Sequence, residues 1–127
     1  MSFNKTYIED EKLILDYTSK DLKPLFDLIP KIKSTENFIE SPLIDEFQKM
    51  AYDTKIMINF DWNQWQEGNK IILCPDFDYS LLDEIEICKL ITAVIKSEDF
   101  IDNGLVSYFE EGIILDLLET LENKIKL

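Results

Sequence analysis

The amino-acid sequence predicts a mostly α-helical fold, a compact bundle of about six helices that forms one domain over residues 1–127. Apolar residues recur at helical spacing in at least five segments, and residues typical of helix starts and ends flank several of them. A chain of 127 residues suits a single domain, and it contains only three glycines and four prolines. No repeat, low-complexity tract or flexible linker divides it.

The N-terminal part gives a weaker signal. Polar and apolar side chains alternate only loosely over residues 1–18, which fits a small β-hairpin around Asp10-Glu11 as well as an extended arm. A helix is predicted from Asp21 onwards. Pro24 falls within its tolerated first turn, and Pro30 should discourage a long continuation. The apolar face of this helix would consist of Leu22, Leu25, Phe26 and Ile29.

Two further helices follow, separated by a short apolar connection. Ser41 and Pro42 are a cap followed by a proline at the first helical position, which is a typical helix start. The face of this helix would consist of Leu43, Ile44, Phe47, Met50 and Ala51. Asp61 can cap the next helix, Gly68 is a weak point within it, and Cys74-Pro75 should end it. Its face would consist of Trp62, Trp65, Ile72 and Leu73.

The widest apolar surface of the chain follows Asp83. Asp83 and Glu86 have the spacing of a capping box. The apolar residues beyond them are Ile85, Ile87, Cys88, Leu90, Ile91, Val94 and Ile95. A helix with so wide an apolar surface is predicted to be central and covered on several sides. A shorter helix closed by Gly112 and a last helix with a clean apolar stripe would complete the bundle. Their faces are Leu105, Val106 and Phe109, then Ile114, Leu117, Leu118, Leu121 and Ile125.

The charge of the chain restricts its function. Asp and Glu number 26 against 13 basic residues, all lysines, and the net charge is −13 with no histidine. Direct binding to nucleic acid is therefore not expected, because phosphate affinity comes from clustered Lys and Arg. The chain also lacks the commonest general base and the bidentate clamp for anionic substrates. We expect a protein that is not an enzyme, with no cofactor and no metal.

The two cysteines and the hydropathy indicate a cytoplasmic protein without a membrane anchor. Cys74 and Cys88 lie among apolar residues and form no C-x-x-C pair, so we expect both thiols to be reduced and buried. No stretch approaches the roughly 20 apolar residues needed to span a bilayer, and residues 1–10 do not resemble a secretory signal. Nucleophilic catalysis by either thiol would lack a histidine base.

The acidic residues are distributed unevenly. Residues 1–74 contain 13 acids and nine lysines, whereas residues 75–123 contain 13 acids and only Lys89 and Lys96. This concentration predicts a docking face for a basic partner, with a solubilising surface as the alternative. The candidate partner-binding residues are Asp76, Asp78, Glu98, Asp99, Asp102, Glu110 and Glu111.

Two smaller patterns have alternative interpretations. Asp76 and Asp78 could offer two oxygens to a cation, but further ligands and a turn glycine are missing, so a solvated turn is favoured. Trp62 and Trp65 could form an aromatic platform for a ligand or partner. Their spacing of three residues on a helix favours packing in the core instead.

Several short motifs resemble an uncharacterised family of small helical bacterial domains. They are F-D-W-x-x-W at Phe60–Trp65, L-x-T-A at Leu90–Ala93, the segment Glu98–Phe100, and E-x-G at Glu110–Gly112. Relatives carry an Arg where this chain has Asp99, and the Gly that follows is displaced to Gly104. The resemblance implies a helical fold and no known activity.

These observations favour a non-enzymatic function. We expect a small acidic interaction protein that neutralises or regulates a basic protein partner, in the style of an immunity protein or antitoxin against a nuclease-type toxin. The alternative is an accessory or ligand-binding domain of the uncharacterised family. An occluding protein should present a flat or convex acidic face, whereas a ligand-binding domain should present a concave, mostly apolar cavity.

Overall fold

A computed structural model describes residues 7–74, 77–97 and 104–125, and all regular structure in these ranges is helical. The α-helices are α1 (Lys23–Phe26), α2 (Leu28–Ser34), α3 (Leu43–Asp53), α4 (Gln66–Leu73), α5 (Glu84–Ser97), α6 (Gly104–Glu110) and α7 (Ile113–Lys124). Shorter 3-10 helices cover Glu11–Asp16, Trp62–Gln64 and Tyr79–Leu81. The predicted mostly α-helical fold class is confirmed.

The hairpin or arm was predicted over residues 1–18, and its first part, residues 1–6, lies outside the described ranges. Within the described part, residues 11–16 form a 3-10 helix where a strand was one of the alternatives. The Asp10 side chain accepts a hydrogen bond from a backbone N–H in the first turn of this helix, and a capped turn competes with a strand. Ile14 on the helix is fully buried. Just before it, the Ile8 N–H donates to the Met57 carbonyl at 2.9 Å. The segment is therefore held against the rest of the fold by the buried Ile14 side chain and by this backbone hydrogen bond.

The first predicted helix is divided into two at Asp27, and Pro30 does not end it. Pro30 is the third residue of α2, where the missing N–H has no intrahelical partner to lose. In a continuous helix the same N–H would have bonded to the carbonyl of Phe26. Helix α1 accordingly ends at Phe26, one turn before the proline, and α2 continues to Ser34.

Two of the three predicted caps are present. The Ser41 hydroxyl accepts from the Leu43 N–H at 3.1 Å, immediately before α3. The capping box at α5 is reciprocal, since the Asp83 carboxylate accepts from the Glu86 N–H at 2.8 Å and the Glu86 carboxylate from the Asp83 N–H at 3.2 Å. Asp61 makes no such bond, because a 3-10 turn precedes α4 and the two are separated at Trp65. The predicted stop at Cys74 is confirmed.

Helix α5 is the central element, as predicted. It contacts α4, α6, α7 and the 3-10 helices at residues 11–16 and 62–64. Seven of its residues are buried: Ile87, Cys88, Leu90, Ile91, Thr92, Val94 and Ile95. The Thr92 hydroxyl donates to the Cys88 carbonyl at 2.8 Å and accepts from the Ile58 N–H at 3.1 Å. This polar pair of bonds joins the buried segment 56–58 to the central helix.

A sharp corner joins α6 to α7. Gly112 has a φ of 81°, in the left-handed region that glycine adopts without a steric penalty, and it stands between the two helices as predicted. The α6 residue Phe109 contacts the ring of Phe38 at 5.3 Å and that of Phe47 at 5.4 Å between centroids. Aromatic packing on the core side thus stabilises the corner, while Glu110 and Glu111 are exposed on its outer side.

Candidate functional site

The structure describes part of the predicted acidic docking face. Four of the seven candidate residues lie outside the described ranges: Asp76, Glu98, Asp99 and Asp102. The other three, Asp78, Glu110 and Glu111, are exposed. Asp78 has a local structural role, since its carboxylate accepts from the Ser80 hydroxyl at 2.6 Å and from the Ser80 N–H at 3.0 Å. These hydrogen bonds lower the pKa of Asp78.

The lysines of the chain pair mainly with carboxylates of the first part. The ion pairs among the described residues are Lys23–Asp27, Lys31–Glu46, Lys33–Glu119, Lys49–Asp53 and Lys89–Glu11. Glu119 is the only carboxylate after residue 75 in these ion pairs of the described residues. Within the described ranges, the side chains of Glu110 and Glu111 form no ion pair or hydrogen bond. Glu110 and Glu111 are therefore exposed carboxylates without a lysine partner among the described residues.

A groove of about 480 Å³ lies beside this surface, between the end of α4 with its following connection and the corner of α6 and α7. We name it the corner groove. Its apolar lining consists of Ile72, Phe77, Tyr79 and Ile113, and its polar lining of Cys74, Glu111 and Asp116. The apolar members are buried or half-buried, whereas the polar members are exposed. The apolar side chains therefore form the inner surface and the polar ones the outer edge.

The Asp116 carboxylate at this edge has no cationic neighbour among the described residues. Partial burial raises its pKa, and the nearby charge of Glu119 raises it further. Burial also raises the pKa of Tyr79, with Asp116 and Cys74 as additional causes. Every one of these neighbours disfavours negative charge on Asp116 or Tyr79. A cation placed in the corner groove would reverse this effect at Asp116.

The structure corrects the prediction for one of the cysteines. Cys88 is fully buried in α5, and burial raises the pKa of its thiol far above the usual range. Cys74, which was expected in the core, is exposed. The reason is its position, because α4 ends at Leu73 and the chain leaves the bundle there. The apolar neighbours of Cys74, such as Ile72, predicted that its side chain would be buried. Those neighbours belong to α4, whereas Cys74 lies beyond its end.

The F-D-W-x-x-W segment packs α4 against the central helix. Trp65 and Phe60 meet edge to face at 5.4 Å between ring centroids, and the Lys89 ammonium lies 5.4 Å from the Phe60 centroid. The Trp65 indole lies directly against Gly68, where a Cβ atom would overlap its ring. Gly68, predicted to be a weak point of the helix, is also the residue that allows this contact. Trp62 and Trp65 are half-buried. Their exposure is intermediate between that of the predicted core residues and that of the alternative, an exposed aromatic platform.

The described residues also bear on metal binding and on membrane insertion. No group of three or more His, Cys, Asp or Glu side chains could hold a metal ion in the part of the chain that the structure describes. None of the described helices is both long and apolar enough to cross a membrane. The corner groove was not predicted, because Phe77 and Tyr79 lie in a loop without helical periodicity. Two aromatic residues within a short acidic loop were the available signal.

Comparison with known proteins assigns most of the chain to a family. A model for a family of unknown function matches residues 35–126, which include α3 to α7 and both sides of the corner groove. This agrees with the resemblance carried by Phe60–Trp65 and the later motifs. Curated proteins and solved structures give no match.

Proposed function

We propose that this chain, which belongs to the family of unknown function DUF6508, is a small acidic interaction protein that binds a basic protein partner and neutralises or regulates it. One observation carries the proposal. The exposed carboxylates at the corner of α6 and α7 have no cationic partner among the described residues, although lysines elsewhere are paired. Unpaired anionic groups on a chain of net charge −13 are available to a basic surface.

The mechanism we propose is occlusion, in the style of an immunity protein or antitoxin that acts in the cytoplasm on a nuclease-type toxin. Glu110 and Glu111 would pair with Lys and Arg side chains that otherwise hold phosphate. The negative field would also accelerate the encounter, because complementary charge steers association and disfavours acidic competitors. Apolar side chains beside the carboxylates would supply the desolvated centre that a stable interface needs.

The corner groove favours a second candidate function, a ligand-binding or accessory domain. Its volume of about 480 Å³ lies within the roughly 300–1,000 Å³ that small-molecule sites occupy. An occluding protein was expected to have a flat or convex acidic face, so the concave shape is an argument for this alternative. A small molecule that raises the midpoint of thermal unfolding of the wild type, but not of a Phe77→Ala variant, would support it.

The experiment for the main proposal compares two double charge reversals. Glu110→Lys with Glu111→Lys alters the unpaired corner, whereas Glu9→Lys with Asp16→Lys alters two exposed residues of the N-terminal part. Both change the net charge by the same amount. The partner is captured from a lysate of the source cells on immobilised wild type, identified by mass spectrometry, and its association rate is measured at low and high salt.

A basic partner should associate about tenfold more slowly with the corner variant at low salt, and the difference should shrink at high salt. The N-terminal control should change the rate much less. Equal effects from the two variants would mean that only net charge matters, and the docking face would be contradicted. A retained partner that is itself acidic, or the absence of any retained protein, would contradict the proposed function.

A further inference from the structure

The corner groove combines two features that rarely favour the same ligand. Its inner surface includes two aromatic rings, Phe77 and Tyr79, which meet at 5.5 Å between centroids with an interplanar angle of 60°. Its outer edge carries the carboxylates of Glu111 and Asp116. An apolar ligand would leave those carboxylates unpaired, and a small hydrated cation would not use the rings. A ligand group that fits both must be cationic and also have an apolar surface.

Arginine is the side chain that satisfies both requirements. Its aliphatic stem can be buried while its charged end stays at the edge of a groove. Its guanidinium is planar and weakly hydrated, stacks on aromatic faces, and pairs with carboxylates through parallel hydrogen bonds. A lysine ammonium is more strongly hydrated and lacks this planar geometry. The groove chemistry therefore favours arginine over lysine.

The charge around the groove indicates that the arginine belongs to a protein. Glu110 is exposed next to Glu111, and Asp78 is exposed between the two groove aromatics in the sequence. The anionic surface therefore extends beyond the groove itself. A partner with several basic groups would use this whole surface, whereas a single small cation would use only its centre.

We propose that the corner groove is the anchor site for an arginine side chain of the basic partner, with the stem against Phe77 and Tyr79 and the guanidinium between Glu111 and Asp116. This inference rests on the proposed function and specifies the partner group that enters the groove. The groove is then the centre of the interface, and Glu110 belongs to its rim.

The test uses full-length protein and a fluorescein-labelled nine-residue peptide in which arginines alternate with leucines. One companion peptide carries citrulline at every arginine position, which keeps the shape and removes the charge, and a second carries lysine. The groove variants are Asp116→Asn and Phe77→Ala. Their matched controls are Glu122→Gln, an exposed acid on the same helix, and Leu81→Ala, an apolar side chain that is 75% exposed.

Dissociation constants are measured by fluorescence anisotropy, and circular dichroism verifies the fold of each variant. We expect Asp116→Asn and Phe77→Ala each to weaken binding of the arginine peptide about tenfold, because one removes a charge partner and the other a stacking surface. The controls should stay within about twofold of wild type. The lysine peptide should bind more weakly than the arginine peptide, and the citrulline peptide most weakly of the three.

Several results would overturn the groove inference. The first is an equal effect of Asp116→Asn and Glu122→Gln on peptide affinity, and the second is equal affinity for the arginine and citrulline peptides. The third is acetyl-arginine amide binding as tightly as the arginine peptide, because this would indicate a small-molecule site. A captured partner that responds to the reversal of Glu110 and Glu111 but not to Asp116→Asn would overturn this inference and leave the proposed function in place. Binding of the arginine peptide that depends on the groove, without any basic partner in the lysate, would contradict the proposed function and leave the groove as a site for arginine.

Discussion

The contact between Gly68 and the Trp65 indole determines whether Gly68→Ala raises or lowers the free energy of unfolding. In an exposed helix, Gly→Ala stabilises by about 1 kcal/mol, because alanine loses less backbone entropy. At Gly68 the added Cβ would overlap the Trp65 ring, and overpacking costs about 1–3 kcal/mol. Gly68→Ala should therefore lower the free energy of unfolding by about 0–2 kcal/mol. The propensity of alanine alone would give the opposite sign.

A double-mutant cycle with Trp65→Ala isolates the steric contribution. Once the indole is removed, the three closest atoms to the Cβ are gone, and Gly68→Ala should stabilise by about 1 kcal/mol. The coupling free energy between the two positions should then equal the overpacking cost, about 1–3 kcal/mol. The measurement is urea unfolding of the four proteins, followed by far-ultraviolet circular dichroism. Trp65→Ala also removes the ring contact with Phe60, but this loss cancels in the cycle.

Gly112→Ala serves as the control for the same cycle. No heavy atom lies within 4 Å of a Cβ at Gly112, yet its φ of 81° is strained for alanine. The variant should lose about 1–2 kcal/mol in both backgrounds, without coupling to Trp65. If Gly68→Ala stabilises the wild type as much as it stabilises the Trp65→Ala variant, the indole does not lie over Gly68, and the assigned role of the F-D-W-x-x-W segment is wrong.

Three further predictions concern the groove and the core. The folded state raises the pKa of Asp116 above its ordinary 3.8, so stability is lost as the pH rises from the unfolded pKa to the folded pKa, and the loss is complete above the folded pKa. Asp116→Asn should therefore unfold at higher urea than wild type at neutral pH, and the difference should vanish below the unfolded pKa. Thr92→Val should lower the free energy of unfolding by about 1–3 kcal/mol, since the buried Ile58 N–H loses its acceptor, and Thr92→Ser should lose less. Deletion of residues 1–34 should abolish cooperative thermal unfolding, because it removes fully buried core side chains outside the family match; a sharp transition in the truncated chain would contradict this. Those side chains are Ile14, Leu22 and Leu25.

The sequence was most informative where one face of a helix is buried. Helix α5 was recognised as central because its apolar residues occupy most of its surface, and they are buried in the structure. The capping box at Asp83 and the glycine corner at Gly112 were recognised because each motif needs only residues within four positions. Such local rules failed at Asp27, where the break between α1 and α2 depends on a proline three residues later.

The candidate site was predictable only in its charge. The excess of acids after residue 75 is a property of composition, and it predicted an anionic surface that includes Glu110 and Glu111. The corner groove instead requires that the end of α4 and the start of α7 lie on either side of one cavity, although Ile72 and Ile113 are far apart in the sequence. No periodicity encodes such a meeting. For the same reason the exposure of Cys74 could not be inferred from its apolar neighbours.

Asp116 connects the stability of the fold with the proposed interaction. An acidic side chain in the first turn of α7 is normally favoured, because the helix dipole stabilises a negative charge there. Partial burial beside the groove and the charge of Glu119 act against that benefit, because both raise the pKa of Asp116. We therefore expect the carboxylate to make the folded protein less stable at neutral pH than an amide would. A residue that lowers stability at a surface is one that function can retain, and a partner arginine would offset the penalty on binding. Asp116→Asn should therefore be more stable than wild type and yet bind the arginine peptide less tightly. Loss of the fold could not produce this combination, because it would lower stability and binding together.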